Sequence, residues 1–189
     1  MIEKTLVLLK PDAIQRSISG KIISRFEDTG LKIIGMKMIW PDKELAENHY
    51  PLDEEWMKIA FEKTKTTAEK ENREFKFKNH VEFGKTLQSW LVDFITESPV
   101  IALVLEGPHA VELARKLTGH TEPKQASVGT IRGDFASVES YAVANTVLRT
   151  VKNLIHASDS LENAKKEISL WFNDNELYDY KTLHESYLA

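Results

Sequence analysis

Apolar and polar positions follow distinct rhythms along the chain, and each change of rhythm marks an element. Residues 5–9, TLVLL, form a short continuous apolar run that stops at Lys10-Pro11. Its length, its strand-forming residues and a closing proline that cannot donate to a ladder predict a buried strand. From Pro11 to Asp28, Ile14, Ile18, Ile22 and Phe26 recur at every fourth position, which is helix spacing, and Gly30 supplies a terminator. Residues 31–40, LKIIGMKMIW, predict a second strand, and Pro41-Asp42 opens a short helix that ends near Tyr50. Helix spacing returns over 84–97 with Leu87, Trp90, Leu91 and Phe94. The run PVIALVL, 99–105, predicts a central strand, and 109–117 predicts an amphipathic helix closed by Gly119.

Three segments break these rhythms. Residues 53–82 are dominated by Lys, Glu, Asn and Thr, with few apolar anchors, and predict a mostly solvated helical insertion. Residues 119–135, with three glycines and one proline, predict a long ordered loop, a kind usually tied to function. Residues 136–152 carry only a mild helical pattern. A short strand over 153–156 then leads into a helix over 161–172, with Leu161, Ala164, Ile168 and Trp171 on one face and Asp159 or Ser160 as cap. No internal repeat is present. Without the accessory helices, the order is βαββαβ. That predicts an α+β, ferredoxin-like antiparallel sheet with helices on one face.

Composition narrows the class. The chain has 189 residues, 42% hydrophobic and 29% charged, as expected of one folded domain spanning 1–189. Its net charge is −4, and no run of Lys or Arg suggests a dedicated nucleic-acid surface. There is no cysteine, so disulfides and thiolate metal sites are excluded. The apolar stretch at the N-terminus is too short for a signal peptide, and no stretch approaches a membrane span, so the expectation is a cytoplasmic protein.

Six histidines stand at 49, 80, 109, 120, 156 and 184, none in a metal-binding motif such as H-E-x-x-H, so no protein-held metal is expected. No G-x-S-x-G elbow supports serine hydrolysis. His156 lies where a short strand hands over to a capped helix. Glu167, within that helix, can hold one ring nitrogen if the helix folds back beside the strand, leaving the other as a nucleophile.

The stretch NLIHASDS, 153–160, resembles the N-x-x-H-G-S-D-S signature of nucleoside diphosphate kinases. Other blocks of that family stand in order: LLKPDAIQR at 8–16, NHY ending at Tyr50, ESPV to ALVLEG over 97–107, TIRGDF at 130–135 and KKEISLWF at 165–172. The resemblance implies a ping-pong transfer of the γ-phosphate of ATP, or another nucleoside triphosphate, to a nucleoside diphosphate. It makes His156 the nucleophile and transient phosphohistidine, oriented by Glu167 and supported by Ser158. Lys10 then reaches the transferred phosphate, with Tyr50 near it. Arg115, Thr121 and Arg132 hold phosphates, Asn153 meets the ribose, and Leu87 takes the place of the aromatic residue that stacks on the base. Mg²⁺ is expected on the nucleotide phosphates rather than in a protein cage. The family assembles as hexamers or tetramers, which implies a homo-oligomer.

The sequence departs from the family pattern at four places: Ala157 for glycine after the histidine, Leu87 for the stacking aromatic, and additions at about 53–82 and 136–152. They motivate one alternative, a catalytically weak nucleotide-binding or oligomeric scaffold of the same family. A ferredoxin-like nucleic-acid module would expose aromatics on its sheet, and TLVLL and VIALVL have none.

Overall fold

The computed structural model describes residues 2–70 and 72–183, so His184 lies outside the described residues. Four strands form one sheet: β1 (Ile2–Leu9), β2 (Lys32–Ile39), β3 (Val100–Pro108) and β4 (Ile155–Ala157), in the order β2-β3-β1-β4 with every pair antiparallel. The expected βαββαβ order is present. From Leu6 to Leu9 every β1 side chain is fully buried, because helices cover both faces of the sheet. Each such side chain contributes about 1.5–3 kcal/mol of burial.

The faces divide by alternation along β1. Val7 and Leu9 pack with α2 (Ser19–Glu27) and α6 (Ala110–Thr118), the crossover helices of the two βαβ halves. Leu6 and Leu8 pack with the accessory helices α3 (Lys43–His49), α5 (His80–Thr96) and α9 (Leu161–Trp171) through Ala46, Val92, Ile95 and Trp171. With both faces covered at its centre, the sheet presents no row of aromatics on β1 or β3 as a platform for nucleic acid. Among the described residues no helix is long and apolar enough to cross a membrane.

Several boundaries differ from the pattern reading. The helix expected over 11–28 is two, α1 (Pro11–Gln15) and α2, because Ser17 turns the backbone left-handed at φ 54°. The loop expected over 119–135 ends in a short helix, α7 (Ile131–Phe135), capped by Thr130, whose hydroxyl accepts from Gly133 N. The weak helical pattern of 136–152 condenses to α8 (Tyr141–Thr146), capped by Ser140.

The segment 53–82 is less solvated than its composition suggests. It forms α4 (Glu54–Lys70), then runs extended back to α5. Phe61, Phe75, Phe77 and Phe83 make an edge-on cluster, with ring centroids 5.1–6.1 Å apart. Such pairs add about 0.5–1.5 kcal/mol each beyond burial. Gly84 lets α4 lie close against α5: a Cβ there would stand 2.3 Å from Met57 Cγ.

Candidate active site

The strand register places His156. Leu8 pairs with His156 and Leu9 with Ile155, so Lys10, just past the end of β1, stands beside Leu154 and Asn153. Lys10 N donates to Leu154 O at 2.8 Å, and Leu154 N donates to Asp12 Oδ2 at 3.0 Å. Pinned from both sides, Leu154 adopts φ 67°. That conformation costs a residue with a Cβ about 1–2 kcal/mol and turns the chain so that Asn153 and His156 serve the same cleft. Ala157, by contrast, lies in β4 and is not among the residues with positive φ. The freedom of a glycine is not required there, which removes one motive for the scaffold reading.

His156 is held from behind. Its Nε2 stands 3.0 Å from both Glu167 oxygens, and Ser158 Oγ donates to Glu167 Oε2. Helix α9, capped by Ser160, folds back and carries Glu167 to that point. A carboxylate only accepts, so Nε2 bears the ring proton and Nδ1 keeps its lone pair.

Above the histidine lies a cavity of about 410 Å³. Lys10, Arg132, Asn153 and Thr121 form its floor as one bonded unit. Lys10 Nζ donates to Asn153 Oδ1 at 2.9 Å, and Asn153 Nδ2 donates to Thr121 O at 2.8 Å. Arg132, at the start of α7, donates to the carbonyls of Asn153, Gly119 and Ile155. Burial, then the charge of Arg132, pulls the Lys10 pKa down to about 7. Burial, then Arg115, pulls Arg132 down to about 10, which leaves it charged at neutral pH. Burial pushes the Tyr50 phenol up, so it stays protonated.

Tyr50, Leu87, Arg115 and His156 line the same cavity, so eight of the ten expected site residues face it, while Glu167 and Ser158 stand behind the histidine. Both additions also reach the cavity. Trp56, Ile59 and Lys63 of α4 line it from one side, and Tyr141 and Arg149 from the other. Pattern reading did not single these out. A Trp and a Lys seven positions apart on one helix face were the available signal in the first case. None exists in the second, where Tyr141 is set by the buried Glu122 carboxylate accepting from its backbone N–H at 2.9 Å.

The metal question can be tested on the donors. Among the described residues His49, His156 and Glu167 bring potential ligand atoms within 4.8 Å of one another. Trp171 Nε1, a pure donor, donates a hydrogen bond to His49 Nδ1 at 3.2 Å, so in the neutral ring the other His49 nitrogen carries the proton and cannot ligate. The His156–Glu167 pair is already satisfied. Asp159 is the one carboxylate among the described residues lining the cavity, so the protein offers no oxygen cage for Mg²⁺.

An antiparallel α+β sheet, a histidine held by a carboxylate and a floor of lysine and arginine mark the class of protein: one that handles phosphate groups. The family model for nucleoside diphosphate kinase matches residues 3–67 and 52–177. The chain belongs to the nucleoside diphosphate kinase family, whose members are phosphotransferases. It is 47% identical over 178 residues to a nucleoside diphosphate kinase of Pyrococcus horikoshii, covering 94% of this chain and 90% of the relative. The crystal structure of an NDP kinase from Pyrobaculum aerophilum superposes with a TM-score of 0.90 at 40% identity, over 95% of this chain and all of that one. A transition-state mimic of the Borrelia burgdorferi enzyme, with bound vanadate and ADP, superposes at 0.81 with 37% identity, covering 98% and 96% of the two chains.

Proposed function

We propose that this chain is an active nucleoside diphosphate kinase that works by a ping-pong mechanism through phosphorylation of His156 at Nδ1. The observation that carries this reading is the clamp on Nε2 by Glu167, which leaves Nδ1 as the nucleophilic atom. In the first half-reaction the Nδ1 lone pair attacks the γ-phosphorus of a nucleoside triphosphate such as ATP. The bond to the β,γ-bridging oxygen breaks, and the diphosphate leaves with that electron pair. Glu167, steadied by Ser158, stabilises the positive charge that the ring acquires while Nε2 keeps its proton. In the second half-reaction a terminal oxygen of an incoming nucleoside diphosphate attacks the phosphorus and the imidazole leaves.

The floor serves this chemistry by positioning and charge neutralisation, the larger part of phosphoryl-transfer catalysis. Lys10 and the guanidinium groups of Arg115 and Arg132 meet the phosphate oxygens, and Thr121 adds a polar contact. Tyr50 stands beside the transferred group, Asn153 faces the ribose, and Leu87 covers the base by apolar contact. Few polar groups are available to the base, which supports broad use of purine and pyrimidine nucleotides. Mg²⁺ enters with the nucleotide as part of the substrate, Mg·ATP.

The chain works as one nucleotide-binding unit over 1–189, and its nucleotide substrates support a cytoplasmic location. Self-association into a hexamer or tetramer accords with the family and with edge strand β2, where Met36, Met38 and neighbouring Trp40 are exposed. Light scattering of the purified protein gives the number; a monomer at micromolar concentration overturns it.

The deciding experiment is brief incubation with Mg·ATP followed by intact mass measurement. One acid-labile phosphate on wild type, none on His156→Ala, and discharge by GDP are expected. Wild type that binds ATP yet gains no phosphate returns the chain to the scaffold reading.

A further inference from the structure

One buried group next to the nucleophile has no part in the transfer described above. His49, the last residue of α3, is 7% exposed, and its ring is wedged among three others. Ring centroids lie 4.6 Å away at Tyr50, 4.5 Å at His156 and 5.5 Å at Trp171. The planes of His49 and His156 meet at 82°, an edge-to-face packing. Because Trp171 Nε1 donates to Nδ1, the proton of the neutral His49 ring sits on Nε2. That Nε2 is buried and has no hydrogen-bond partner among the described residues. Burial first, then His156 and Lys10, hold the His49 pKa well below the ordinary imidazole range, so the ring is neutral.

Glu167 alone does not fix the catalytic ring. A carboxylate that receives one N–H between its two oxygens sets the direction of that N–H. It leaves the imidazole plane free to swing about the Nε2–carboxylate axis. A rigid ring packed square against it at 4.5 Å blocks the swing. Three demands meet in that blocking ring. It must be planar, it must be uncharged so as not to compete for Glu167, and it must offer an acceptor to the buried Trp171 N–H. Phenylalanine meets the first two of these and asparagine, which has no ring, the last two; neutral histidine meets all three, although its second nitrogen is left buried with no hydrogen-bond partner among the described residues.

We propose that His49 is a positioning residue for phosphoryl transfer: Trp171 fixes its tautomer, and its neutral ring holds the His156 imidazole in line with Glu167. This rests on the reading of His156 as the phosphorylated residue. Nothing in it requires His49 to touch the nucleotide.

The test combines side-chain ¹⁵N NMR of the full chain with rapid-quench measurement of phosphohistidine formation from Mg·ATP. Wild type is compared with His49→Asn, which keeps an acceptor for Trp171 and removes the ring, and with His49→Phe, which keeps the ring and removes the acceptor. At neutral pH in wild type, His49 should be neutral and protonated at Nε2, and His156 should show a single Nε2–H tautomer. His49→Asn should mix the His156 tautomers and slow phosphorylation by about tenfold or more with the nucleotide KM nearly unchanged, as misalignment of a reacting group does. His49→Phe should recover most of the rate. A wild-type His49 that is charged at neutral pH, or that carries its proton on Nδ1, overturns the proposal whether or not either variant folds. So does a folded His49→Asn with unchanged His156 tautomer and rate. Absence of phosphohistidine in wild type would instead defeat the functional reading, and the two failures are told apart by the spectra.

Discussion

The floor and the walls of the cleft are built on different principles. The floor is a closed polar unit: Lys10, Asn153, Arg132 and Thr121 bond to one another, and His156 bonds to Glu167. The walls come from the two additions, and these differ again. Residues 53–82 are fastened by four phenylalanines and a glycine contact. Residues 136–152 are fastened by Glu122, by the Ser140 cap and by the ion pair of Arg149 with Glu139 at 2.9 Å. The floor side chains are held by bonds to one another, and the parts that shape the opening hang on a few separate contacts. A change in the floor should therefore appear in kcat, and a change in the walls in KM.

Removing the nucleophile tests this division most severely. His156→Ala should lower turnover by about ten-thousand-fold or more with nucleotide affinity largely kept, measured by coupled assay and calorimetry. Lys10→Met should lower kcat by about a hundredfold to a thousandfold, the loss of one charge-stabilising group in a dry site. If either change acted mainly on KM, the distinction between floor and walls would fail.

Lys10 also gives the floor a pH signature. Its pKa of about 7 means that it is largely neutral in the free protein at pH 8. Bound phosphates favour the charged form and raise that pKa, so binding takes up a proton. Nucleotide affinity should fall as pH rises above about 7, by up to about tenfold per unit. Calorimetry of Mg·ADP in buffers of different ionisation enthalpy reads the uptake directly, and Lys10→Met should abolish it. The stability sign is the reverse of the usual lysine case. The unfolded chain, with its ordinary lysine, binds more protons above pH 7, so this group makes the empty fold more stable as pH rises from about 7 towards 10.

The walls carry the smaller effects. Phe83→Ala removes the α5 phenylalanine, one of two that meet the other three, and should loosen 53–79, seen as faster hydrogen exchange there and a several-fold rise in KM. An unchanged KM would mean that α4 takes no part in binding. Glu139→Gln should have the least effect. Its pair with Arg149 is partly exposed, so the loss should stay under about 1 kcal/mol and shrink further in salt.

The same contrast governs what the sequence discloses. The floor was legible because its residues sit in short blocks whose order is specific, and because the spacing of His156 and Glu167 suits a strand and a returning helix. The turn at Leu154 was not. Its positive φ is imposed by Lys10 and Asp12, far away in the chain, on a residue with no local preference for it. The break at Ser17 and the helix after Thr130 were hidden for a related reason, since a single left-handed residue or a single cap carries little periodic signal. The composition of 53–82 misled because four phenylalanines, spread over 61–83, gather only when the chain doubles back.

The mutual bonding of the floor has a consequence for traffic through the site. Lys10 rests on Asn153, and Arg132 rests on three carbonyls, two of them on the strand connection that carries His156. A phosphate that arrives must take over donors already in use, and one that departs returns them to waiting acceptors. Arrival and departure are exchanges between states of similar energy. A catalyst arranged in this way does not hold its product. Release should then be quick in either direction, leaving the supply of triphosphates and diphosphates to decide which way the phosphate flows.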